Sequence, residues 1–203
     1  MKRIALLLVL IISSMASYGQ YRWEVTGGLL RSKMDHQNVE TVFSNGFYLN
    51  AGYGYMLDNR ARSSIVFSFE LLQRNSKITE SNTGLGVAYG DQFQALQVGF
   101  SPKFRYFIGG EEFRVFANVG PSFRVNTGFE IGDQKLESDQ YEQIIISGVY
   151  GVGASWGIGE MVDVMAEAGI TNDFVDNLVD VESKFFDYYA RIGIRFRIYD
   201  ATR

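Results

Sequence analysis

The chain of 203 residues contains one histidine and no cysteine, so imidazole chemistry has a single address and thiolate or disulfide chemistry has none. That histidine, His36, follows Asp35 and lies four residues after Ser32; a hydroxyl, an imidazole and a carboxylate are the parts of an activated nucleophile. A catalytic base would have to be His36 or a carboxylate with a retuned pKa. A solvated histidine in a polar segment explains the same spacing with less, and no catalytic residue is assigned. Two acidic clusters come next: Glu130, Asp133, Glu137, Asp139 and Glu142, then Asp173, Asp176, Asp180 and Glu182. Calcium needs several converging oxygens, and neither cluster has the EF-hand spacing. Both read as solvated loops, with no metal site expected. Gly84-Leu85-Gly86 and Gly151-Val152-Gly153 do not open a helix, so they lack the mechanism of a phosphate-binding loop. No cofactor is implied.

A third set is larger and more regular. Glu24, Glu70, Lys103, Arg105, Arg114, Arg124, Glu167, Arg191, Arg195 and Arg197 each sit between apolar neighbours in segments that alternate with period two. Such alternation is the mark of strands. Eight segments carry it, beginning Trp23, Val25, Gly27, Leu29 and then Phe47 to Leu57, Ile65 to Leu71, and Leu96 to Tyr106. The other four are Phe113 to Val125, Ile144 to Ile158, Val164 to Ile170 and Tyr188 to Ile198. The apolar face of every segment is uncharged. In a membrane barrel that face meets lipid, where a basic residue costs about 2 to 4 kcal/mol at the midplane. A soluble β-sandwich would show the same alternation with the apolar face inside, so the connections must separate the two.

Those connections alternate. Asp58 to Arg62, Gly109-Gly110 and Glu160 to Val162 are tight turns, whereas 31–43, 75–91, 126–142 and 172–184 are long and polar. Short periplasmic turns and long outer loops are the habit of transmembrane barrels. Across Gly109-Gly110, pairing of Ile108 with Glu111 keeps both on one face and suits a type I′ turn with positive φ at both glycines. Pro102 and Pro121 lack an N–H for the ladder, which predicts a bulge or local break. Inward Gly151, Gly153, Gly157 and Gly159 are expected to leave room for long interior side chains.

Residues 1–19 form a unit of their own: Lys2 and Arg3, an apolar run from Ile4 to Ile12, and small residues in Ser17-Tyr18-Gly19. This is the pattern of a secretory signal peptide cut before Gln20. The run is too short to span a bilayer as a helix, and no later segment is long enough. Residues 20–203 make one domain. The full chain's 22 Gly, 16 Phe and 12 Tyr suit a barrel in which every second residue meets lipid, and its net charge of -4 argues against nucleic acid. The expected fold is therefore all-β: an eight-stranded antiparallel up-and-down transmembrane β-barrel of the outer membrane of a Gram-negative cell.

The words Leu96-Gln97-Val98-Gly99-Phe100-Ser101-Pro102-Lys103-Phe104-Arg105-Tyr106-Phe107 and Phe116-Ala117-Asn118-Val119-Gly120-Pro121-Ser122-Phe123 resemble the PorT-like outer-membrane β-barrel proteins of Bacteroidota. Gly99 stands where that family commonly has a proline, while Lys103 and the aromatics remain. The resemblance implies the barrel and the outer membrane. The namesake member is associated with the type IX secretion system, and a link of this chain to that system is an implication of the resemblance alone. At the C-terminal end Arg191, Gly193, Phe196 and Ile198 resemble the signal read by the barrel assembly machinery, extended here through Tyr199 to Arg203.

These residues lead to definite expectations. Trp23, Tyr55, Tyr106, Trp156 and Tyr199 are expected at the periplasmic boundary as an aromatic girdle. The interior has seven basic residues facing three acids, which reads either as an anion path or as a plug of ion pairs. An eight-stranded barrel is narrow enough for its side chains to fill, which favours the plug. Glu167 is expected to pair with Arg191, and Glu24 with Arg195 or Arg197 across the closing seam. The expected partners are outer-membrane lipid and lipopolysaccharide, the assembly machinery during insertion, and an unidentified protein at the outer loops. The expected function is that of a non-enzymatic structural or interaction barrel. The alternatives are a small-solute channel and, resembling outer-membrane enzymes that use His with Ser and an acid, a lipid-modifying enzyme.

Overall fold

A computed structural model of the chain describes residues 21–58, 62–82, 84, 86–110, 112–159 and 161–198. The expected signal peptide (1–19), Glu111 and Tyr199 lie outside the described residues. Nine strands follow one another: β1 (Tyr21–His36), β2 (Thr41–Met56), β3 (Ser63–Ile78), β4 (Gln92–Gly109), β5 (Phe113–Ile131), β6 (Gln134–Lys135), β7 (Ile144–Ile158), β8 (Val162–Asp173) and β9 (Ser183–Ile198). The eight long strands pair antiparallel with their neighbours, and β1 closes on β9 in continuous register from Tyr21–Ile198 to His36–Ser183. The two-residue β6 only folds back on the end of β5 at Glu130 and Ile131.

Alternation now has a direction. Outward residues such as Leu29, Phe69, Val152 and Ile192 are more than 60% exposed, whereas the charged residues between them are buried. A soluble sandwich would bury the first set and expose the second. The surface requires a hydrocarbon solvent, and strands can meet it only as a closed barrel, because lipid offers no partner to an open edge. Both described chain ends, Tyr21 and Ile198, lie at the end that carries the three short turns, which is the periplasmic end.

The strands run further than the apolar alternation does. The expected loops at 31–43, 75–91, 126–142 and 172–184 shrink to 37–40, 79–91, 132–143 and 174–182. The cause is an inversion of the pattern. Beyond the lipid belt the apolar residues Met34, Ile78, Phe93, Phe129 and Phe185 point inward and are buried, while Asp35, Lys77, Gln94, Glu130 and Lys184 point outward. Above the membrane the barrel continues as a water-facing sheet. Register shifts help: β2 is irregular between Phe43 and Phe47, and β5 gains a residue against Leu96 and Gln97.

Asp58 accepts from the backbone N–H of Arg62 (2.9 Å) and Ser63 (2.8 Å), tying the β2–β3 turn without glycine. At β4–β5 the expected Ile108–Glu111 pairing does not form: Ile108 pairs with Val115 and Gly109 with Arg114. Gly109 alone of the two glycines has positive φ, so the turn is not type I′. The shift by four residues keeps every side chain on its face, and Arg114 Nε donates to Gly110 O at 2.9 Å inside the wider loop.

The prolines share one rung. Flanking pairs Phe100–Phe123 and Phe104–Val119 place Pro102 opposite Pro121, and the β4–β5 ladder, bulged already at Leu96 and Gln97, loses its pairing between these two rungs. Ser101 Oγ donates to Pro121 O at 3.0 Å in the gap, and each proline keeps its partner on the other side, Phe67 and Gly148. The break is local and the register survives it.

Val152 faces out near the middle of β7. Replacing it with arginine should lower the unfolding free energy by about 2 to 4 kcal/mol, measured by denaturant unfolding in lipid vesicles. No loss would show that this wall does not meet hydrocarbon.

Candidate functional site

The interior is layered along the barrel axis. At the extracellular end Met34, Val39, Ile78, Val87, Phe93, Ala95, Phe129, Leu178 and Phe185 form an apolar cap. His36 belongs to this cap. It is the last residue of β1 and not a loop residue, its ring stacks on Phe93 at 5.3 Å, and its Nδ1 accepts from the backbone N–H of Asn38 at 3.1 Å. Partial burial pushes its imidazole below the usual histidine range. Ser32 lies deeper and is fully buried, while Asp35 points out to solvent, so the three do not assemble.

Beneath the cap, Arg74 is clamped by Asp173 and Asp187, each at 2.7 Å, and its guanidinium lies 4.5 Å from the Phe185 ring. It also donates to Gln97 at 3.2 Å, and Thr171 donates to Asp187. Asp173 therefore leaves the acidic loop cluster expected from sequence. It is wholly buried, since β8 runs on to include it.

The middle of the barrel holds a second group. Glu70 accepts from Lys103 (3.1 Å), Tyr48 Oη (2.5 Å) and Ser122 Oγ (3.0 Å), with Arg124 at 3.7 Å. Arg191 lies against the rings of Tyr48 and Tyr189 and reaches Glu167 at 2.8 Å. Tyr189 Oη donates to the same carboxylate at 2.7 Å. Gly151 makes this packing feasible, because a Cβ there would stand 2.4 Å from Tyr189 Oη and 2.7 Å from Glu167. Gly153 leaves similar room for Phe116, whereas Gly159, with φ of 72°, serves the β7–β8 turn instead of the interior.

Towards the periplasm, Arg105 grips Glu24 with two nitrogens at 2.6 and 3.0 Å and has Glu167 at 3.5 Å. Arg195 has Glu24 at 3.5 Å and Asp163 at 3.8 Å. The seam partner expected for Glu24 is thus present, but the shorter contact crosses the barrel to Arg105. The side chain of Arg197 lies outside the described residues. Arg105 and Arg195 also lie over the rings of Phe116 and Phe107, which with Met56 and Met165 form a lower apolar layer.

Sequence reading missed Arg22, Arg74, Asp163, Asp173 and Asp187, all of them buried. With them the seven-to-three excess of bases largely disappears. Glu24, Glu70, Asp163, Glu167, Asp173 and Asp187 face Arg22, Arg74, Lys103, Arg105, Arg114, Arg124, Arg191 and Arg195. Among the described residues no group of acids or imidazole has the arrangement of a metal site, and none of the Gly-x-Gly pairs opens a helix.

On the outer wall Trp23, Tyr106 and Trp156 are exposed and Tyr55 is partly exposed, close to the periplasmic end; Trp23 packs edge-on against Tyr53 at 5.0 Å. Of the C-terminal signal residues, Arg191 faces the interior network and Phe196 faces lipid. Gly193 fits under β1, where a Cβ would meet Val25 O at 2.0 Å. Ile198 pairs through its backbone with Tyr21.

No family model matches the chain, and no curated protein matches it. Solved structures do. Neisserial surface protein A is similar over 87% of this chain and 97% of its own, with 15% identity and a TM-score of 0.51. OprG from Pseudomonas aeruginosa is similar over 90% and 98%, with 11% identity and a TM-score of 0.55. The outer membrane enzyme PagL matches over 83% and 97%, with 13% identity and a TM-score of 0.45. The fold is that of the small outer-membrane barrels. Together with a lipid-facing wall that only such a membrane provides for strands, it places the chain in the outer membrane.

Arg74→Ala removes the cation that two buried carboxylates share. Stability should fall by about 3 to 5 kcal/mol, seen as a lower temperature for the folded-to-unfolded shift in gel mobility. An unchanged transition would mean that Asp173 and Asp187 do not depend on this guanidinium.

Proposed function

We propose that this protein is a non-enzymatic outer-membrane barrel, closed to solutes, that acts as a structural or interaction protein through its extracellular strand ends and loops. The observation that carries the reading is the stacked interior. A buried apolar cap, the Arg74 clamp, the Glu70 and Glu167 networks and a lower apolar layer follow one another across the barrel. An ion would have to displace paired charges at three levels and cross apolar packing at two. That is a plug, in keeping with the capacity of eight strands to fill their own lumen. The separation of Ser32, Asp35 and His36 removes the support for hydrolysis at the outer rim.

The water-facing rim supports recognition. Glu40, Glu80, Glu130, Glu137, Asp139 and Glu182 are exposed there, which favours a partner with a basic face. The finer assignment to the PorT-like proteins rests on the β4 and β5 words, whose two prolines form the shared rung. A role beside type IX secretion follows from that assignment alone, and loss of secreted cargo on deletion of the gene would support it.

Planar-bilayer recording of the purified barrel tests the closed interior. No unitary conductance steps are expected in wild type. Reproducible steps would favour the small-solute channel instead.

A further inference from the structure

On the outer wall, away from the interior just described, β1 and β9 present three consecutive outward rungs above the lipid belt: Arg31–Tyr188, Lys33–Phe186 and Asp35–Lys184. Arg31 and Lys184 are exposed and Lys33 is partly so. The ion pairs of the described residues involve none of them, although Asp35 stands opposite Lys184. Three aromatic rings lie among these cations. Phe43 reaches over β1 to Phe186 (6.5 Å) and Tyr188 (5.3 Å), and those two are 5.1 Å apart. Elsewhere at the same end the outward charges are mixed or single, Glu130 on β5 standing opposite Lys135 on β6 and Lys77 lying alone on β3, so the strip is set apart by its three cations on adjacent strands.

Directly below, the wall is hollowed. The next outward rung is Leu29–Ala190, followed by Gly27–Ile192, and Ala190 pairs in turn with Ala168 on β8. These small side chains form the upper end of an open trough of about 960 Å³ that begins between Leu29 and Ile192 and runs obliquely round the lipid-facing surface past Val152 and Ala117 to Tyr106 and Ile108. Cations at the head-group level, aromatic rings at the boundary and an apolar trough beneath are the successive parts of a site for an anionic amphiphile.

We propose that this wall binds a phosphate-bearing glycolipid of the outer leaflet. Arg31, Lys33 and Lys184 take its phosphate, and an acyl chain lies over Ala168 and Ala190. Charge complementarity selects the occupant: Arg31, Lys33 and Lys184 gather three cations on two adjacent strands against the single carboxylate of Asp35, and the strip sits at the height of a lipid head group. A neutral lipid would use the trough but gain nothing from the three cations. The assignment is independent of what the loops bind.

The test is native mass spectrometry of the full barrel released from nanodiscs containing lipid A, enzymatically dephosphorylated lipid A, or neither with inorganic phosphate added. Wild type should retain lipid A in preference to the dephosphorylated form. The combined R31Q, K33Q and K184Q substitutions should weaken retention about a hundredfold, each cation being worth roughly fivefold. A168F with A190F, which fills the trough, should weaken lipid A but leave heat-dependent gel mobility intact, and E130Q should change nothing. Equal retention of dephosphorylated lipid A, an unaffected triple variant, or retention of inorganic phosphate as tight as that of lipid A would each overturn the proposal.

Discussion

The hydrocarbon of a bilayer cannot hydrogen bond, and the rest of the structure follows from that. Every backbone N–H and C=O within the belt needs a partner in the sheet, so β1 must find β9, and the seam between them is paired along its whole length. Prolines are the exception that shows how tight the constraint is. Two prolines on separate rungs would interrupt two places in the wall. Opposed as Pro102 and Pro121 are, both missing donors fall in one interruption, and the outer neighbours Phe67 and Gly148 remain in register.

The same solvent drives the charges inward, where they meet a second constraint. Removing a guanidinium and a carboxylate from water costs more than one contact returns unless the geometry is good and the remaining hydrogen bonds are made. The interior meets part of this by sharing, although Arg105 Nε, Arg191 Nε and Nη1, Arg195 Nη1 and Glu167 Oε2 make no hydrogen bond among the described residues. Glu24 serves Arg105 and Arg195, Glu167 serves Arg191 and Arg105, and Asp173 and Asp187 share Arg74. Many of these contacts join strands that are not neighbours: Arg74 of β3 holds β8 and β9, and Arg105 of β4 holds β1 and β8. Ladder hydrogen bonds set which strands are adjacent. The cross-barrel pairs act on something different, the distance between opposite walls, and aromatic rings such as Tyr48 and Phe116 fill the space between guanidinium planes.

Much of this was legible because period two is a strong signal where one face meets lipid. The eight segments, the uncharged outer face and the adjacency of Glu167 and Arg191 all follow from parity. Arg74, Asp173 and Asp187 were not legible for a specific reason. They lie where the strands have passed the lipid belt, and there the outward residues become polar, so the apolar alternation that marks a strand stops. A segment ending at Leu71 or beginning at Tyr188 is the lipid-facing part of a longer strand. The Ile108–Glu111 pairing failed differently: parity allows any shift by an even number of residues, and only the turn's own hydrogen bonds, such as Arg114 to Gly110, choose among them.

The inversion of pattern also divides the molecule by solvent. Below the boundary the sheet is polar inside and apolar outside; above it the same strands enclose Met34, Phe93, Phe129 and Phe185 and show Glu130 and Lys184 to water. The upper part thus has an apolar core like that of a small soluble barrel, with His36 and Phe93 stacked within it. In the closed barrel proposed above, only outer surfaces are left for recognition: the rim, which faces water, and the wall, which faces lipid. The β1–β9 strip lies where these two surfaces meet, and there the outward residues are neither purely apolar nor purely acidic but basic and aromatic together. A strand crossing from hydrocarbon to water must change its outward chemistry at that height. On this seam the change passes through cations, which is the chemistry that the head groups of an anionic leaflet would select.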